Sequence, residues 1–167
     1  VRSVRWNGLD GQIHIMQGDL REAHLTLGYG RFDLVTVNPP YLPATGYDTN
    51  KNEYFALARH EIACTLEDVI AACSRLVKSG GKVAMVHRPA RLADVISLMR
   101  KYRLEPKRMR FVHPRKDQEA NIVLIECIRD GGPELRVLPP LIVYADNGDY
   151  GPELMRVYYG DSEGLDA

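Results

Sequence analysis

The apolar, β-branched run from Phe32 to Val37 ends abruptly at Asn38-Pro39-Pro40-Tyr41. A predominantly apolar, β-branched run of that length is the pattern of a strand buried in a parallel sheet. Two consecutive prolines remove two backbone donors and hold φ near −65°, so neither a ladder nor a helix continues through them. The chain is thereby drawn towards an α/β fold. A rigid polar turn leaves the carboxyl end of a strand, the place where open α/β sheets hold their ligands.

The rest of the chain alternates in the same sense. Ile13 to Met16 reads as a short strand leaving into a loop at Gly18-Asp19, Pro43 to Asn50 as a polar flap-sized loop, and Asn52 to His60 as a helix. Thr65, with Asp68 three residues on, caps a second helix. Its apolar positions are Val69, Ile70, Cys73, Leu76 and Val77, and Ser79-Gly80-Gly81 is expected to end it through a left-handed cap. Lys82 to His87 follows as a strand, and Pro89 or Ala90 to Tyr102 as an amphipathic helix with Leu92, Val95, Ile96 and Met99 on one face. Lys107 to Val112 and Asn121 to Ile128 read as an antiparallel strand pair, and Leu141 to Tyr144 as one more strand in a proline-punctuated tail. The expected fold is α/β, with a mostly parallel sheet and an antiparallel edge strand.

At 167 residues the chain is sized for one domain. No apolar run approaches the ~18 residues of a membrane span, and three widely spaced cysteines, Cys64, Cys73 and Cys127, suit reduced thiols in a cytoplasmic protein. Net charge is zero, yet residues 75–116 carry 13 Lys/Arg against 2 Asp/Glu. Such a block is the electrostatic footprint of a phosphate-backbone binder. The alternative is a set of long cationic side chains that only solvate helix and strand faces.

The Asn-Pro-Pro-Tyr turn suits one chemistry in particular. Methylating an exocyclic amine requires drawing its lone pair out of conjugation with the ring. Acceptors for its two hydrogens do this, and an Asn amide oxygen and a carbonyl fixed between prolines are two such acceptors. A tyrosine alongside offers a stacking surface for a flipped base.

Asp33 to Tyr41 resembles motif IV of the S-adenosylmethionine-dependent amino-methyltransferases, which have a Rossmann-like fold. Gly18-Asp19 resembles the loop whose acid meets the cofactor's adenine, and Leu76 to Val83 resembles a helix-to-strand turn common in these enzymes. Further local matches narrow the resemblance to the bacterial tRNA(Val) adenine-N6 methyltransferase family. They are Ala58-Arg59-His60-Glu61, Val86-His87-Arg88-Pro89 with Arg91-Leu92, Phe111-Val112-His113-Pro114-Arg115 and Glu119-Ala120-Asn121.

The similarity runs from about Ser3 to Gly132, leaving 133–167 as an acidic tail. It implies a catalytic set of Asn38, Pro39, Pro40 and Tyr41, and contacts to S-adenosylmethionine from Asp19, Leu20 and Asn38. It implies tRNA as partner. Arg88, Arg91, Arg115 and Lys116 of the basic block are the expected backbone contacts, with Arg59 beside a His60 that is either structural or RNA-facing, while His87 and His113 each end a strand and either contact phosphate or cap a loop. No metal is implied: His60 and Cys64 share a helical spacing, but no second ligand pair accompanies them.

The family's opening strand and glycine-rich cofactor turn have no counterpart. Gly28-x-Gly30 precedes a strand instead of following one, and Gly80-Gly81-Lys82 lacks the spacing of a P-loop. The expectation is therefore the C-terminal part of a methyltransferase, with the first βαβ portion missing. Two alternatives carry other functions. A protein-glutamine or rRNA amino-methyltransferase would present the same planar NH2 group to the same turn. A nucleic-acid-binding module without catalysis would use only the basic face.

Overall fold

The computed structural model describes residues 1–41 and 64–160. In chain order these hold α1 (Arg2–Trp6), a 3-10 turn (Leu20–Glu22), α2 (Ala23–Leu27) and β1 (Phe32–Val37). Then come α3 (Leu66–Leu76), β2 (Val77–His87), a second 3-10 turn (Pro89–Arg91), α4 (Leu92–Lys101), β3 (Leu104–His113) and β4 (Ile122–Arg129). The two-residue strands β5 (Arg136–Val137) and β6 (Leu141–Ile142) and helix α5 (Pro152–Tyr159) close the chain. The expected loop at Pro43–Asn50 and helix at Asn52–His60 lie outside the described residues.

The sheet runs β1-β2-β4-β3-β5, with β6 also on β3. β1 pairs with β2 in parallel, β4 is antiparallel to both β2 and β3, and β5 and β6 run parallel to β3. The antiparallel strand expected at the edge is thus β4, inserted between two neighbours and hydrogen-bonded on both sides. The short β3–β4 connection returns the chain antiparallel to β3, and β4 then zips along the free edge of β2. This threading keeps the carboxyl ends of β1, β2 and β3 on one rim.

Thr65 caps α3 as its side chain predicts. The Asp68 amide donates to Thr65 Oγ1 (3.1 Å) and the Thr65 amide donates to Asp68 Oδ2 (3.0 Å), a reciprocal capping box. The helix buries Leu66, Val69, Ile70, Cys73 and Leu76, and α4 adds Val95 and Met99, both wholly inaccessible. They meet alternate residues of the sheet, with Val83, Met85 and His87 of β2 paired with Cys127, Ile125 and Val123 of β4. The intervening positions Lys82, Ala84 and Glu126 belong to the opposite face.

Three expectations are corrected. Ile13–Met16 makes no ladder with any described strand, and Ile13, Ile15 and Met16 stay exposed, because no described strand stands beside it to complete its hydrogen bonds. β1 is not enclosed on both faces: Val35 and Val37 pack on the core while Leu34 is 52% exposed, since α3 and α4 cover one face of the sheet. The helix before Ser79-Gly80-Gly81 ends earlier, at Leu76. Val77 is already extended (ψ 141°), and the glycines form a bulge inside β2, with Gly80 at φ 75°. Helix α5, unforeseen in the tail, starts with Pro152 in its first turn and Arg110 Nη2 reaches its Glu153 carboxylate at 2.7 Å. Among the described residues no helix is long and apolar enough to cross a membrane.

Candidate active site

The site grows out of the β1–β2 register. Val37 stands opposite Met85, which brings Asn38 and Pro39 abreast of Val86 and His87. Pro39 is buried and anchors the turn, Asn38 is exposed, and the Tyr41 hydroxyl donates to Asn38 Oδ1. That bond orients the amide oxygen. An amide oxygen has two lone pairs, so one remains for an incoming N–H. The Tyr41 ring meets the His87 imidazole edge-on, with centroids 5.4 Å apart and planes at 78°, and Arg88 Cζ lies 5.3 Å from the ring centroid. Arg88 Nη1 also donates to the Asn121 carbonyl at 2.9 Å, tying the exit of β2 to the approach to β4.

Of its two expected roles, His87 does not take that of an RNA contact. It is 0% exposed, so its imidazole serves as a wall for Tyr41 and presents no surface to phosphate. Arg91 holds Asp94 through Nε at 2.9 Å. His113 Nδ1–H donates to the Gln118 carbonyl at 2.7 Å, which fixes the ring at the tip of β3. Arg115 Nη1 reaches the Ala145 carbonyl (3.5 Å), and Lys116 Nζ pairs with Asp146 (2.6 Å). The rim therefore carries two groups, Asn38, Tyr41, His87 and Arg88 in one and His113, Arg115 and Lys116 in the other. Arg59 and His60 lie outside the described residues.

Asp19 caps the first 3-10 turn, accepting from the Arg21 amide (2.9 Å) and from Arg21 Nε (2.9 Å). The Arg21 guanidinium and amide hold its carboxyl well below the usual range, at about 2. Leu20 packs on the same core cluster that receives Val35 and Val37. An ionised, partly exposed acid beside a half-buried leucine fits the adenine end of S-adenosylmethionine, as acceptor and apolar wall. No glycine-rich turn following a strand occurs among the described residues to take the other end.

Charge is distributed differently from the sequence expectation. Of the 13 cations in 75–116, nine take acidic partners: Lys78 with Asp33, Lys82 and Arg108 with Glu126, Arg91 with Asp94, Arg100 with Glu105, Lys101 with Glu67, Arg103 with Asp130, Arg110 with Glu153 and Lys116 with Asp146. Arg75, Arg88, Lys107 and Arg115 are held by carbonyl oxygens. Two of these four, Arg88 and Arg115, stand on the rim. Asn121 and Tyr144 are rim residues that the sequence placed in a local match and at a strand end but not in the site. Their positions depend on β4 lying beside β2 and on the tail pairing with β3, which no local pattern signals.

No family model matches the chain. It is 29% identical over 151 residues to a tRNA1(Val) (adenine(37)-N6)-methyltransferase of Porphyromonas gingivalis, covering 87% of this chain and 58% of that protein. To the protein of the same name from Aeromonas salmonicida it is 32% identical over 114 residues, covering 68% of this chain and 46% of the relative. The chain thus spans about half the length of the curated relatives it matches. The crystal structure of a predicted O-methyltransferase from Agrobacterium tumefaciens superposes with a TM-score of 0.73 at 21% identity, over 95% of this chain and 70% of that one. The chain is accordingly a homologue of the curated tRNA1(Val) (adenine(37)-N6)-methyltransferases, built on the Rossmann-like methyltransferase fold.

Proposed function

We propose that the protein containing this chain transfers a methyl group from S-adenosylmethionine to N6 of an adenine in tRNA. The observation that carries the reading is the Asn38 amide oxygen, aimed by the Tyr41 hydroxyl at the carboxyl rim of β1 beside an exposed cation, Arg88. The names of the relatives support the same reading.

S-adenosylmethionine supplies an electrophilic methyl group. The chain's own residues prepare the amine. Asn38 Oδ1 and the Pro39 carbonyl accept its two N–H groups, which turns the nitrogen lone pair away from the ring and towards the methyl donor. Tyr41 stacks on the base, with His87 and Arg88 holding the tyrosine from the side. Asp19 and Leu20 take the cofactor's adenine. The amine loses its proton after attack, so no strong general base is required. Fixed alignment of donor and acceptor supplies most of the acceleration, an effect that reaches ~7–11 kcal/mol in well-oriented systems.

The test uses the full-length protein, labelled S-adenosylmethionine and bulk tRNA, followed by nucleoside analysis. Label is expected in N6-methyladenosine. Asn38→Ala is expected to lower turnover by ~10²–10³, as loss of an aimed polar group in an active site does, with tRNA affinity nearly intact. Loss of affinity and turnover together would make Asn38 a fold residue.

A second reading gains from the ion pairs. With nine of the 13 block cations matched by acids, bulk positive charge no longer argues against a glutamine side chain as acceptor. Label in protein and none in RNA would establish that reading instead.

A further inference from the structure

The outer part of the rim carries an aromatic pair that the core does not use. Beyond β6, the Val143 amide donates to the His113 carbonyl and the Tyr144 amide to the Pro114 carbonyl, each at 2.9 Å, so the tail prolongs the edge of β3. The chain then reverses. The Ala145 amide donates to the Asp149 carbonyl (2.9 Å) and the Gly151 amide to the Val143 carbonyl (2.7 Å), and Tyr144 bridges Tyr150 antiparallel. The two rings stack with centroids 5.4 Å apart and planes at 18°. Tyr144 is 37% and Tyr150 54% exposed, and neither joins the hydrophobic core. Arg115 Cζ lies 5.8 Å from the Tyr144 ring centroid.

We infer that Tyr144 and Tyr150 form a second stacking platform, which takes an unpaired base of the RNA loop next to the nucleotide being modified. This rests on the tRNA reading above. Exposed, pre-stacked tyrosines beside an arginine are the components with which proteins hold single-stranded nucleic acid without regard to sequence, because every base has a π-face.

Charge favours RNA over an apolar protein partner. Among the described residues Arg115 donates Nη1 to a carbonyl oxygen and no acid pairs with it, so it keeps donors for a phosphate. The acids of the hairpin are engaged, Asp146 by Lys116 and Asp149 by the Asn147 side-chain amide at 2.7 Å. Position fits as well. β6 is four strands from β1 through β2, β4 and β3, ~19 Å across the sheet. That is too far to touch the base held by Tyr41 and within reach of a neighbouring nucleotide on the same rim. The hairpin backbone bonds hold both rings in place before binding, which lowers the entropy of ordering them.

The test uses the full-length protein and an anticodon stem-loop RNA carrying the fluorescent base 2-aminopurine at one loop position at a time. Wild type is expected to quench the probe at one position besides the target adenine. Tyr150→Leu is expected to abolish that quenching and weaken RNA binding by roughly 5- to 150-fold, the span measured for one stacked base. Turnover at saturating RNA should stay at the wild-type level, and Tyr150→Phe should behave as wild type. Unchanged affinity and quenching in Tyr150→Leu would overturn the inference, as would equal losses in the Leu and Phe variants. If Tyr150→Leu fails to fold, the wild-type quenching map decides: no quenched position besides the target overturns it. Wild type that neither binds nor methylates tRNA sinks the tRNA reading itself, whereas wild type that does both with an indifferent Tyr150→Leu sinks the platform alone.

Discussion

Gly81→Ala places a methyl group in the bulge where β2 folds against β1. A Cβ at this position would lie 2.7 Å from Val77 Cγ2, 2.9 Å from the Lys78 carbonyl oxygen and 3.0 Å from that of Asp33. None of the three can yield cheaply. Val77 is β-branched and wholly buried, and the two oxygens belong to the backbone of the bulge. There Phe32 pairs with Val77 but Leu34 pairs with Lys82, so residues 78–81 fold over Asp33. Overpacking of this kind costs ~1–3 kcal/mol. At ~2–4 °C per kcal/mol for a chain near this size, thermal unfolding should fall by ~2–12 °C.

Two controls separate the causes. Gly132→Ala meets no atom within 4 Å and should leave the melting temperature in place. Gly80→Ala has open space but a φ of 75°, so it should cost ~1–2 kcal/mol through backbone strain alone. Differential scanning calorimetry of the three variants is the assay. A Gly81→Ala protein that melts with wild type would refute the close-approach argument and the bulge register with it. RNA affinity should not change, because the bulge lies at the end of β2 opposite the rim.

Asp19 provides a pH signature. Its folded pKa of about 2 lies below the ordinary aspartate value of 3.8, so its contribution to stability is complete above the unfolded value and fades as pH falls through that window towards 2. A carboxyl-carbon NMR titration should place its midpoint near the lower figure; a midpoint at the ordinary value would mean that Arg21 does not hold it. Thiol chemistry offers a check on the core. Burial pushes Cys73 and Cys127 up to about 12, whereas Cys64 is only half-buried. Iodoacetamide at mildly alkaline pH should therefore modify Cys64 first and reach the other two only after denaturation. Equal rates at all three would show that the α3–sheet contact opens readily.

Local signals in the chain were enough to define several elements. Thr65 and Asp68 satisfy each other's amides within one helical turn, and the apolar spacing of Val95 and Met99 sets the buried face of α4 whatever lies beneath it. Pro39 and Pro40 end β1 by their own ring geometry, so the Asn38–Tyr41 turn was legible at the end of a strand. Each of these features depends on residues a few positions apart. Four others required the assembled sheet. β4 entered between β2 and β3 because strand order follows from which edges remain unpaired, information that no single segment holds. Ile13 to Met16 has strand-like residues yet makes no ladder with a described strand, since a strand exists only with a partner. The cationic block gave the wrong impression of free charge, because its acids come from sequence positions as distant as Asp33 and Glu153. His87 likewise looked like a surface ligand in its His-Arg-Pro setting and became a buried wall once Val123 paired against it. Short-range covalent geometry and capping are written residue by residue, whereas burial, charge pairing and the meeting of Tyr41, His87 and Arg88 arise only when distant strands share a rim.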